Sequence, residues 1–84
     1  MQKITKNIDI KIGDFLEINN QEFLVVGSFN NPEKLGTEDF ITYVLNKPLE
    51  NNIKNVTKGY LVGSSHVFLK TRNPFLQVLY AKDI

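Results

Sequence analysis

The sequence predicts a mainly β fold, a small and partly open barrel of about five strands carrying short helical insertions. Three observations predict it. Apolar runs rich in β-branched and aromatic residues recur at 15–18, 23–26, 40–45, 67–69 and 75–80, too short for helices and of strand length. Gly, Asn, Asp and Pro separate these runs, as turns require. The chain has 84 residues, 42% hydrophobic and 23% charged, which gives one core of modest size and not the composition of a disordered chain. So short a sheet exposes its edges, and curling towards closure covers them. The chain reads as a single domain over 1–84, with 1–8 an N-terminal arm and 9–84 the barrel.

Each element has a local reason. Gly13-Asp14 marks a turn into a first strand at Phe15-Leu16-Glu17-Ile18, and Asn19-Asn20 suits a tight reversal because Asn tolerates left-handed backbone. A β-hairpin is therefore expected over about 14–28. A two-residue loop would set Glu17 opposite Glu22, where like charges repel; a four-residue loop, 19–22, would relieve that. Asn31-Pro32-Glu33-Lys34-Leu35-Gly36 carries a capping residue, proline at the first helical position and glycine at the exit, which fits a single helical turn. Phe40-Ile41-Thr42-Tyr43-Val44-Leu45 is the third strand.

Over 46–59, Leu49, Ile53 and Val56 fall at helical spacing and Glu50 can pair with Lys54, but Asn51, Asn52, Asn55 and Thr57 are mediocre helix formers. An extended loop is the favoured reading and a short helix the alternative. Tyr60-Leu61-Val62-Gly63 followed by Ser65 to Lys70 reads as a strand bent at its glycine. Thr71-Arg72-Asn73-Pro74 is a turn signal, and Phe75 to Tyr80 a final strand. That pairing puts Val67, Leu69, Leu76, Val78 and Tyr80 on a core face. It leaves His66, Phe68, Lys70, Phe75, Gln77 and Leu79 on the other, a mixture too apolar for plain solvent and too polar for a plain core.

The order hairpin, insertion, strand, insertion, two strands, with Gly13-Asp14 ahead of an apolar hairpin and Tyr80-Ala81-Lys82-Asp83-Ile84 at the close, resembles small five-stranded barrels of the Src-homology-3 and Sm-like type. The resemblance is architectural, covers about 9–84 and rests on no family motif. Such barrels bind peptides, nucleic acid or proteins, so function has to be argued from residues.

Lys and Arg total 10 against 9 Asp and Glu, a formal net charge of +1, so no global field would hold nucleic acid or an anionic membrane. Without Cys and with one His, a thiolate zinc site, a multi-His site and a cysteine nucleophile are excluded. No phosphate-binding glycine loop is present. Ser64 and Ser65 adjoin His66 without a nucleophile elbow or oxyanion-hole signature. The paired carboxylates that Glu17 and Glu22 would offer need the repulsive register. No enzyme, cofactor or metal is expected. Absence of a signal-like or membrane-length apolar run points to the cytoplasm. Tyr43 and Tyr60 are expected in the core with their hydroxyls reaching water.

The candidate binding face lies on the C-terminal hairpin, with Phe68 and Phe75 as apolar anchors, Arg72 and Lys70 as orienting charges, Asn73 at the tip and His66 at the rim. Aromatic and Arg side chains carry most binding energy at protein interfaces, so a protein partner or self-association is the favoured expectation. Single-stranded nucleic acid, stacking on the rings and meeting the cations, is the alternative. The composition, rich in Asn, Lys and Ile, fits an A+T-rich genome and hence a bacterial or phage accessory protein.

Overall fold

Residues 1–30 and 41–73 of this computed structural model are described, and they form six strands and one helix. These are β1 (Gln2–Lys3), β2 (Asp14–Ile18), β3 (Gln21–Asn30), β4 (Ile41–Leu45), β5 (Asn55–Thr57), α1 (Lys58–Gly63) and β6 (Val67–Arg72). The strands make one antiparallel sheet in the order β1-β6-β2-β3-β4-β5. The fold is mainly β as expected. Among the described residues the sheet is six strands wide and not closed, since β1 and β5 stand at its two ends. The helical turn expected at 31–36, the final strand at 75–80, its pairing with 65–70, and Phe75 with it, lie outside the described residues.

Two asparagine pairs reverse the chain. Asn19 and Asn20 take φ 51° and 69° and join β2 to β3 by two residues, with Ile18 opposite Gln21 and Glu17 opposite Glu22. The four-residue loop is therefore not formed, and the repulsive register is the real one. Left-handed backbone at both positions is what this tight hairpin demands, and Asn supplies it more cheaply than any other non-glycine residue. Asn51 and Asn52 repeat the device at φ 47° and 66°, with Glu50 bridged to Ile53 and Leu49 N donating to Ile53 O at 2.7 Å. The stretch 46–59 is thus neither an extended loop nor one helix, and its last two residues, Lys58 and Gly59, already open α1. It is a tight reversal that leads into β5.

The helix comes next, where a bent strand was expected. Thr57 stands in extended backbone as N-cap and its Oγ1 accepts from Tyr60 N at 3.2 Å, while Ser64 N donates to Tyr60 O at 3.1 Å and closes the far end. Tyr60 and Val62 favour strands, but the cap satisfies an otherwise orphaned N–H and the turn buries Leu61 completely. Tertiary burial overrides propensity here.

One face of the sheet holds the core. Leu16, Ile18, Phe23, Val25, Tyr43, Leu45 and Val67 are buried in a single cluster with Ile4, Val56 and Leu61. Residues 1–8, expected as an arm, therefore supply both an edge strand and the core residue Ile4. Tyr43 is in the core as expected, whereas Tyr60 is 44% exposed on α1. In a flat six-stranded sheet the edges would lie about 24 Å apart, five spacings of ~4.8 Å. Here α1, which follows one edge, reaches the other: Lys3 Nζ in β1 donates to Ser64 O at 2.6 Å, and Lys58 Nζ donates to Ile8 O. Two bulges allow the bend. Val26 is the extra residue of β3 against β4, and Lys70 that of β6 against β2.

Candidate functional site

Alternation in the central strands sorts their side chains between the core and an outer face. On the outer face one row of register partners runs Lys3, Phe68, Glu17, Glu22 across β1, β6, β2 and β3. The neighbouring row runs Thr71, Phe15, Leu24. Phe68, Glu17 and Phe15 are half-buried and Leu24 is buried, although Leu24 is not part of the core cluster. Phe68 therefore sits between a lysine on one side and a carboxylate on the other, beside a short apolar row.

The cations of this face are engaged by the protein's own groups. Lys70 is unpaired in the ladder because of the bulge, which lets its side chain swing towards β3, and its Nζ lies 2.6 Å from Glu22 Oε2. The hydrogen bond to Glu22 and the negative charge of that carboxylate raise the Lys70 pKa, with Glu17 adding to the effect. Its positive charge opposes the repulsion that the tight hairpin imposes on Glu17 and Glu22. Arg72 lies opposite Asp14, with Nε 3.5 Å from Oδ1, and its Nη2 donates to Asp9 O at 2.6 Å.

Asp14 is buried at the mouth of a turn. Lys11 N donates to its Oδ2 at 2.9 Å, its own N–H donates to Lys11 O at 3.0 Å, and Gly13 between them takes φ 97°, which a side chain would strain. Burial raises the Asp14 pKa, against the opposing pull of the Lys11 N–H and Arg72. Asn73 N donates to Gly13 O at 3.1 Å, so the tip of the expected hairpin is docked on this turn.

His66 is exposed at the start of β6, and its carbonyl accepts from Asn19 N at 3.0 Å. Ser64 is engaged as the helix C-cap, with its Oγ donating to Tyr60 O at 2.9 Å. The structure thus brings His66, Phe68, Lys70, Arg72 and Asn73 onto one strand and its ends, but Lys70 and Phe68 share the outer face while Arg72 is tied to the Gly13-Asp14 turn. Comparison of the chain with protein-family models, curated proteins and solved structures gives no match. The geometry alone has to carry the functional argument.

Among the described residues no group of three or more His, Asp or Glu could hold a metal ion, and no helix is long and apolar enough to cross a membrane. A cleft of about 410 Å³ lies between the segment after β1 and the β4–α1 side, lined by Lys6, Asn7, Ile8, Asp9, Ile41, Tyr43 and Lys58. Sequence reasoning did not single it out, because residues 6–9 and 58 meet only when the sheet bends. A second groove of about 250 Å³ runs along β5 beside Ile53 and Tyr60, both close to half exposed.

Proposed function

We propose that this chain is a non-catalytic binding module whose outer sheet face, centred on Phe68, engages a protein partner. The observation that carries this reading is the closure of the face's own charges, with Lys70 held on Glu22 at 2.6 Å and Glu17 alongside. A phosphate approaching Lys70 meets two carboxylates, and one approaching Arg72 meets the Asp14 carboxylate and a guanidinium already donating to the Asp9 carbonyl. That disfavours single-stranded nucleic acid, which needs cations free to release counterions. With Lys70 held on Glu22 and Lys3 on the Ser64 carbonyl, the patch suits a protein surface that offers an apolar side chain to Phe68 and a basic one to Glu17.

The same proposal includes a partly open barrel of the Src-homology-3-like or Sm-like architecture. The bulges at Val26 and Lys70 and the bonds that join α1, which follows β5, to β1 and the segment after it support it. It also includes a cytoplasmic setting.

Affinity capture from the source organism tests the binding reading. The expected result is one protein retained in stoichiometric amount after nuclease treatment and at moderate salt, joined to Glu17 through a lysine by carbodiimide cross-linking. Phe68→Ala and Glu17→Lys, each folded by circular dichroism, should lose it. A gel shift with single-stranded DNA or RNA that weakens with salt and disappears in Arg72→Ala would overturn the reading, and so would a homodimer in sedimentation equilibrium that Phe68→Ala dissolves.

A further inference from the structure

We infer that the cleft beside Lys58 is a binding site for a small monocarboxylate. It shares no residue with the outer face around Phe68. Lys58 is only 5% exposed, and among the described residues no carboxylate lies within ion-pair distance of its ammonium. Its partner is the carbonyl of Ile8. An ammonium carries three N–H donors and one carbonyl uses one of them, so two remain for a ligand in the cleft that Lys58 lines. Withdrawing a cation from water without an anion to meet it is costly, and a bound carboxylate would offset that cost by a charge-assisted hydrogen bond.

The surrounding groups choose the ligand. Lys6 at the mouth adds a second positive charge, and Asp9, whose side chain is 79% exposed and 3.9 Å from Lys11 Nζ, offsets one. A cleft lined by two lysines and one aspartate is balanced by a single negative charge, which favours a carboxylate over a phosphate dianion. Asp9 at the rim repels the continuing backbone of a nucleic acid. Ile8 and Ile41, both half-buried, add only a small apolar share to a lining that is otherwise polar, so the ligand's anionic group carries its recognition. The volume, about 410 Å³, falls in the range of small-molecule sites.

The test is a titration of the isotopically labelled full chain with sodium acetate, sodium butyrate, inorganic phosphate and oligothymidylate at matched ionic strength, followed by amide shifts. Butyrate and acetate should each move the Ile8, Asp9 and Lys58 resonances saturably. Lys58→Met should weaken butyrate about tenfold or more, the effect of losing one charge-assisted hydrogen bond, while leaving the outer-face resonances of Phe68 and Glu17 in place. If Lys58→Met does not fold, Lys6→Gln should still weaken butyrate. Unsaturable shifts, phosphate or oligothymidylate binding more tightly than butyrate, or full affinity in both variants would overturn the assignment.

Discussion

Asp14 shows how a single buried group makes stability depend on pH. Its folded-state pKa is raised, chiefly by burial, so the folded chain holds that proton more tightly than the unfolded chain does. The stability this adds is fully present below the ordinary aspartate range and is lost as pH rises through the raised value. Urea unfolding of wild type and Asp14→Asn at about pH 3 and pH 7 should therefore show the difference moving in favour of the Asn variant at the higher pH. Gly27 is a steric case. A Cβ there would stand 3.2 Å from Val44 Cγ2 and 3.3 Å from Val44 Cβ, beside the Val26 bulge. Gly27→Ala should cost about 1–3 kcal/mol in denaturant unfolding by overpacking. Val44→Ala in the same chain should recover part of that loss, a coupling that independent sites would not show.

At the scale of elements, the two Asn-Asn reversals and the capped helix do the work. Asn20→Gly and Asn52→Gly should each raise stability by a few tenths of a kcal/mol, since glycine takes left-handed backbone without a Cβ penalty. Thermal unfolding reads the change, and a fall in melting temperature would contradict the turn geometry. Thr57→Ala removes the acceptor for Tyr60 N and should cost about 0.5–2 kcal/mol, with loss of amide protection confined to α1. The first hairpin and the strand at 41–45 were legible because apolar alternation and turn residues agree over short distances. The helix was not. Tyr60 and Val62 are strand formers, and nothing local announces that Leu61 will be fully buried.

For the whole molecule, the decisive feature is that α1 ties the two edges of the sheet. Leu61→Ala should cost about 2–5 kcal/mol by leaving a cavity and should loosen the amides of β1 and β5 together in hydrogen exchange, although these strands are at opposite ends of the sheet. Independent loosening of one edge would contradict the tie. The candidate face was half legible: that Phe68 would share a strand face with Lys70 follows from sequence spacing, whereas the capture of Lys70 by Glu22, 48 residues away, does not. The cleft was not legible at all, because Lys58 meets Ile8 across 50 residues.

By itself the sequence determined that the chain is mainly β, where the first hairpin reverses, and that no cysteine or multi-histidine chemistry is available. These follow from side-chain period and backbone preference, which act over a few residues. Only the tertiary structure decided the helix at Lys58–Gly63, the pairing of charges on the outer face and the burial of Lys58. Each of these depends on how far the sheet bends, and that bend is set by contacts between residues remote in the chain.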